Sequence, residues 1–271
     1  MSNFSPDRPI GAFDSGVGGL TVVQAMRELL PAEDILYLGD TARIPYGNKS
    51  PETIIRYSRE IMTYLRANDV KAVVVACNTA SAHALAILQK ESDIPVIGVI
   101  VPGVEAALAA TRNHRIGIIG TQGTIQSNAY QNLLRRLQPD VEITAVATPL
   151  LVSLVEEDWL NHPATQLILE EYFAPMKAAK VDTVVLACTH YPLLKPMAQR
   201  VLGPDVVLVD SAQNAATVLA RELSSHGLTR PAGSHRSEIN IRTTDLTPQF
   251  TRLADRFLGQ KIEGIQQVSV G

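Results

Sequence analysis

Short runs of Val, Ile and Ala recur along the chain, at Ile10–Phe13, Ile35–Leu38, Ala72–Ala76, Val96–Ile100, Arg115–Ile119, Val141–Ala147, Val181–Ala187 and Val206–Val209. Between them lie longer stretches with apolar positions at helical spacing: Leu20–Leu30, Ser50–Asn68, Ala80–Glu91, Val104–Arg112, Gln126–Leu137, Pro163–Ala179 and Ser211–Leu223. A strand wetted on one face alternates apolar and polar residues, whereas these runs are apolar almost throughout. They predict strands covered on both faces, in a mainly parallel sheet flanked by helices. The expected fold class is α/β.

A weak repeat divides the pattern. Residues 73–79 read Val-Val-Val-Ala-Cys-Asn-Thr, and residues 184–190 read Val-Val-Leu-Ala-Cys-Thr-His. Upstream, Ile10–Gly16 has a looser echo in Ile116–Gln122, so Gly11 to Cys77 spans 66 positions and Gly117 to Cys188 spans 71. Two similar α/β halves, each ending a strand on a cysteine, account for this. The alternative is that any two α/β strands look alike. The expected division is residues 1–98 with 210–271 as a discontinuous first domain and 99–209 as the second. The crossing lies near Pro95–Pro102, where Gly98, Pro102 and Gly103 interrupt the run, and Arg230–Ser237 reads as a loop before a short tail.

Composition narrows the function. The 271 residues carry 24 Lys and Arg against 27 Asp and Glu, a net charge of -3. That balance argues against a nucleic-acid or membrane-surface partner, which calls for a basic excess. Aromatic residues make up 5%, with Trp159 the single tryptophan, too few for a base-stacking platform. The N-terminal residues show no signal-peptide pattern and no apolar run reaches the ~18 residues of a membrane span, so a cytoplasmic location is expected. The only cysteines are Cys77 and Cys188. Two thiols exclude a disulfide scaffold, and in a reducing compartment they stay thiols.

Each cysteine sits where chemistry is plausible. Cys77 ends a predicted strand, and Thr79 or Ser81 is the expected N-cap of the next helix. A thiol there faces free N–H groups that should lower its pKa below the usual ~8.5. Ligands of open α/β sheets bind at that end of the strands. In Cys188-Thr189-His190-Tyr191-Pro192 the thiol stands beside a hydroxyl and an imidazole able to act as acid or base. Either cysteine alone reads as well as a buried structural thiol; two in matching settings favour chemistry.

A redox pair usually has short Cys-x-x-Cys spacing, and these thiols are 111 positions apart. A zinc site lacks its paired spacing, so no metal is expected. Alternatively the two thiols flank a substrate, one thiolate removing a proton and one thiol returning one; metal binding is the poorest of the three readings. The loop Asp14-Ser15-Gly16-Val17-Gly18-Gly19 is neither a dinucleotide fingerprint nor a phosphate loop. Asp14 there can accept from a substrate ammonium or act on a thiol, although such a loop is often just a turn. Pro45-Tyr46-Gly47, Thr121-Gln122-Gly123-Thr124 and Glu156-Glu157 also read as turn, cap and solvated face. No G-x-S-x-G elbow occurs.

Taken in order, Phe13–Leu20, Tyr37–Asp40, Pro45–Gly47, Ala76–Ser81, Gly120-Thr121 with Gly123-Thr124, and Cys188–Leu193 make the chain resemble the glutamate racemases of the cofactor-independent aspartate/glutamate racemase family. The resemblance spans nearly the whole chain. It implies two similar α/β domains with the active site in the cleft between them, and L-glutamate/D-glutamate interconversion that supplies peptidoglycan synthesis. Cys77 and Cys188 fall on the catalytic cysteines, with Asp14 and His190 as their respective assistants and Glu156 at a nearby acidic position. Asp14, Ser15, Tyr46, Gly47, Asn78, Thr79, Thr189 and His190 fall on substrate-binding positions. Ala187 departs from the Gly that many relatives carry before the cysteine. The resemblance implies no cofactor, a small-molecule partner (glutamate), and admits a homodimer.

The physics is consistent with that reading. Racemisation needs a base on one face of Cα and an acid on the other, which a duplicated strand–Cys–helix unit supplies. Without an imine-forming cofactor, the carbanion must be stabilised by hydrogen-bond donors in a dry pocket. The alternatives are a two-cysteine racemase acting on aspartate or another amino acid, a pyridoxal-dependent racemase, a redox protein, and a non-catalytic glutamate-binding protein.

Overall fold

The computed structural model describes residues 5–231 and 237–271. Ten strands are present among them: β1 (Ile10–Asp14), β2 (Ile35–Gly39), β3 (Ala72–Val75), β4 (Val96–Gly98), β5 (Arg115–Gly120), β6 (Glu142–Ala147), β7 (Thr183–Ala187), β8 (Val207–Asp210), β9 (Ile239–Thr243) and β10 (Gln266–Gln267). The α-helices are α1 (Leu20–Leu29), α2 (Pro51–Ala67), α3 (Asn78–His83), α4 (Leu85–Glu91), α5 (Ile100–Ala110), α6 (Gln122–Gln126), α7 (Ala129–Leu137), α8 (Leu150–Glu156), α9 (Pro163–Ala178), α10 (Lys195–Leu202), α11 (Ala212–Ser225) and α12 (Pro248–Leu258).

The strands form a six-stranded sheet, ordered β10-β9-β2-β1-β3-β4, and a four-stranded sheet, ordered β6-β5-β7-β8. All pairings are parallel. The class is α/β, and the order β2-β1-β3-β4 recurs as β6-β5-β7-β8. β1 runs beside β3, with Phe13 opposite Val75, and β5 runs beside β7, with Gly120 opposite Ala187. In each sheet this sets the loop after the first strand next to the cysteine after the third. Every residue of β1, β2, β3 and β7 is buried, the reason their sequences lack alternation.

Helices cover both sheets. Ser50, His162 and Thr247 cap α2, α9 and α12 by accepting from the Thr53, Ala164 and Phe250 N–H groups, each with proline just inside the helix. One apolar core runs from the six-stranded sheet through α1, α11 and α12 to Cys188 and Tyr191 beyond the four-stranded sheet. Smaller cores lie under α2–α4 and under α5 and α7.

Several expectations need correction. The helix expected over Ala80–Glu91 is two, α3 and α4, which meet at Ala84. The one expected over Gln126–Leu137 starts later, as α7 at Ala129, after Asn128, whose φ of 56° is a left-handed conformation that asparagine tolerates; Gln126 ends the unexpected α6. α5 begins at Ile100 instead of Val104. α8 and α10 were not anticipated; both are short, and α10 carries Pro196 in its first turn. The short tail is no featureless end but the β9–α12–β10 segment. β9 alternates as Ile-Asn-Ile-Arg-Thr, without the continuous apolar run of the inner strands. Of the expected Arg230–Ser237 loop, residues 232–236 lie outside the described residues, as do residues 1–4 of the expected leaderless start. No helix among the described residues is long and apolar enough to cross a membrane.

Candidate active site

A cavity of about 310 Å³ opens where the loops following β1 and β3 meet those following β5 and β7. All the residues expected to act in catalysis or substrate binding line it. Asp14, Ser15, Tyr46, Gly47, Cys77, Asn78 and Thr79 come from loops of the six-stranded sheet. Glu156, Cys188, Thr189 and His190 come from loops of the four-stranded sheet. Both cysteines are free thiols, 5% and 7% exposed.

On the first side, Cys77 follows β3 and is itself the N-cap of α3: its Sγ accepts from the Ala80 N–H at 3.4 Å. The expected caps are otherwise engaged, Ser81 Oγ donating to the Val75 carbonyl at 2.8 Å and Thr79 facing two other hydroxyls. The Cys77 thiol points to Ser15 Oγ at 3.8 Å. Its pKa is pushed up to about 12, by burial first and the Asp14 charge second, against weaker help from the Ala80 N–H and Ser15. That reverses the expected lowering. One N–H at the start of a six-residue helix does not offset desolvation next to a carboxylate.

Asp14 is 1% exposed and organises this side. One carboxylate oxygen accepts from the Ser15 N–H at 2.6 Å and from Ser15 Oγ at 3.2 Å; the other accepts from Thr189 Oγ1, across the cleft, at 2.9 Å. At Gly18 the loop after Asp14 lies against the other half. A Cβ on Gly18 would stand 2.4 Å from Thr189 Oγ1 and 2.5 Å from His190 Nδ1.

The second side differs. Cys188 Sγ lies 4.0 Å from His190 Nδ1, and His190 Nε2 lies 3.0 Å from Glu156 Oε1. Burial pulls the His190 pKa down, but its hydrogen bonds and charge interactions with Cys188 and Glu156 outweigh that and raise it to about 10. The imidazole is thus held protonated at neutral pH, bridging thiol and carboxylate.

Further residues complete the site. Thr79 Oγ1 lies 2.8 Å from Thr121 Oγ1 and 3.1 Å from Thr124 Oγ1, a hydroxyl cluster that joins the halves. A Cβ on Gly47 would meet Thr121 at 2.7 Å, so that loop also needs glycine. Tyr130 OH donates to Asn78 Oδ1 at 2.7 Å, which leaves the Asn78 NH2 as donor. Tyr46 is buried with its hydroxyl donating to Asp40, which also accepts from Arg43 Nε and from Thr244 Oγ1 at 3.0 Å. Tyr46 therefore offers the cavity its ring. Burial and the Asp40 carboxylate both push its phenol up. Tyr130 and Thr244 lack any local signal of these roles, since their partners Asn78 and Asp40 are far away in sequence; Asp40 is only three and six positions from Arg43 and Tyr46 and belongs to the Tyr37–Asp40 motif. Thr121 and Thr124 had one, the Thr-Gln-Gly-Thr turn that follows β5.

With this geometry in view, similarity to known proteins is informative. Residues 16–262 match the family Asp/Glu/Hydantoin racemase. A glutamate racemase of Geobacter metallireducens is 48% identical over 265 residues, covering 98% of this chain and 98% of that protein. A crystal structure of a glutamate racemase isoform from Bacillus anthracis superposes with a TM-score of 0.92 at 39% identity, over 97% of both chains. That of the Francisella tularensis glutamate racemase, in complex with D-glutamate, gives 0.91 at 36% identity, over 97% of this chain and 98% of that one.

Proposed function

The chain belongs to the Asp/Glu/Hydantoin racemase family, and from that premise we propose that it interconverts L-glutamate and D-glutamate by proton transfer between Cys77, Cα and Cys188. The observation that carries the reading is two thiols on one cavity, each following the third strand of the same four-strand unit. The cleft then separates a domain of residues 1–98 with 210–271 from one of residues 99–209.

A thiolate on one face takes the Cα proton and becomes a thiol. The electron pair delocalises into the substrate carboxylate, and the opposite thiol gives its proton to the other face and becomes the thiolate. The product is the mirror image, and the enzyme is left with its two protonation states exchanged, ready for the opposite enantiomer. Asp14 and His190 assist Cys77 and Cys188 respectively. A substrate ammonium near Asp14 offsets the negative charge that holds the Cys77 proton, so binding itself eases ionisation. Asn78 supplies its NH2 to the substrate carboxylates, whose charge grows in the transition state, and Ser15, Thr79 and Thr189 join it by turning their hydroxyl protons from Asp14 and the neighbouring threonines to the substrate. Glu156 keeps His190 protonated. D-glutamate made this way would enter peptidoglycan synthesis in the cytoplasm.

The test is the optical signal of L-glutamate followed in D2O with no added cofactor. The expected outcome is decay to zero with deuterium at Cα. Glutamate binding without optical change would leave only a binding protein and sink the reading, and faster turnover of aspartate would reassign the substrate.

A further inference from the structure

His190 has a third neighbour besides Cys188 and Glu156. The ring of Phe257 stands edge-on to the imidazole, centroids 5.4 Å apart and planes at 81°. Phe257 is on α12, which follows β9 of the six-stranded sheet, whereas Cys188, His190 and Glu156 all follow strands of the four-stranded sheet. The contact therefore crosses from one half to the other. It is firmly held: Phe257 is 5% exposed and belongs to the same apolar core as Cys188 and Val155. The next residue back, Arg256, pairs at 2.7 Å with Asp158, just beyond α8 and two positions from Glu156. α12 ends at Gly259, left-handed at φ 65°, so Phe257 sits in its last turn.

An imidazole makes its hydrogen bonds in the ring plane, so that plane decides whether Nδ1 faces Cys188 while Nε2 faces Glu156. The two bonds leave the ring free to tilt about the line joining them, and a rigid aromatic ring packed T-shaped against it removes that freedom. Gly18 lies near the same ring, where a Cβ would come within 2.5 Å of Nδ1. Both confining surfaces come from the six-stranded half.

We propose that Phe257 is a positioning residue: it holds the His190 imidazole in the plane that joins Cys188 to Glu156, and does so only while the two halves are packed together. The inference rests on the racemase reading above. It gives the β9–α12–β10 segment a part in the reaction, although no residue of that segment lines the cavity.

The test is a double-mutant cycle on kcat, using Phe257→Leu because leucine keeps apolar volume in the core but not the flat edge, with Phe257→Met as a second variant. In the parent background the substitution should lower kcat about tenfold while KM changes less than about threefold. In a His190→Ala background the same substitution should lower kcat less than about twofold, because its target is gone. An equal loss in both backgrounds, or no loss in the parent background, overturns the proposal. If the parent protein does not racemise glutamate, the functional reading fails instead, and that is seen before any variant is compared.

Discussion

Cys77 has a carboxylate for a neighbour and Cys188 an imidazole. Both thiols follow the third strand of the same four-strand unit, and both are almost fully buried. Yet Asp14 adds to burial in holding the proton on Cys77, while His190, protonated between Cys188 and Glu156, sets a positive charge beside Cys188. The duplication supplies two-fold geometry without two-fold electrostatics. In the racemase reading this asymmetry has a thermodynamic limit. Enantiomers have equal free energies in water, so kcat/KM must be the same for both directions. Unequal surroundings can only divide that ratio differently between kcat and KM. On the first side they favour the protonated Cys77 thiol.

The strongest way to break the comparison is to remove one thiol at a time. Cys77→Ala and Cys188→Ala should each lower racemisation by about 10³-fold or more, because each direction needs both an acid and a base. Circular dichroism of either enantiomer measures this, and turnover equal to the parent in one variant would restrict the chemistry to a single cysteine.

A smaller effect comes from erasing the difference on the first side. Asp14→Asn removes the charge that helps push Cys77 up to about 12, so its thiolate fraction at pH 8 should rise. Turnover should fall by about 10²-fold as the assisting group is lost. Alkylation by iodoacetamide, mapped by mass spectrometry, should accelerate at Cys77 and not at Cys188; equal acceleration at both would remove Asp14 as the cause of the asymmetry.

The smallest expected effect concerns the second side. The raised His190 pKa has the Glu156 carboxylate among its causes, so Glu156→Gln should move it down from about 10. The basic limb of kcat/KM should shift to lower pH while activity near neutrality falls only a few-fold, about two- to fivefold. The linked stability has a definite sign. His190 in the folded protein binds its proton more tightly than an ordinary histidine, so it contributes stability fully present below about pH 6.5 and lost as pH rises through about 10. The difference in Tm between parent and Glu156→Gln should therefore be largest near pH 6 and shrink toward pH 10. A constant difference would mean that Glu156 acts by packing.

Much of this arrangement was legible in the residues. Eight apolar runs announced β1–β8, most plainly β1, β2, β3 and β7, because parallel strands buried on both faces leave no polar positions to confuse the period. β9 was missed for the converse reason: its alternating polar residues interrupt the apolar run and leave it only partly buried. α3 and α4 were merged because the break at Ala84 carries no Gly, Pro or left-handed residue. Cys77, Cys188, Asp14 and His190 stood out because each lies at the end of a strand, where local position and chemistry coincide. Tyr130 and Phe257 did not, since the partner of each, Asn78 or His190, is fixed only when separate elements pack; of the Asp40 contacts only the one to Thr244 waits for packing, Arg43 and Tyr46 being near in sequence.

By itself the sequence determined the α/β class, the duplicated strand–cysteine unit and the identity of the chemical groups, because these depend on local periodicity and on residue types at strand ends. Only the tertiary structure decided how acidic Cys77 is, which half supplies each neighbour, and that the C-terminal α12 reaches His190. Those properties depend on burial and on groups that separate elements bring together: Asp14 acts on Cys77 from another strand end, and Thr189 meets Asp14 across 175 positions. The expected acidic Cys77 was overturned on that account. A helix N–H is a local property, but the carboxylate and the dry core that outweigh it are assembled only when the chain folds.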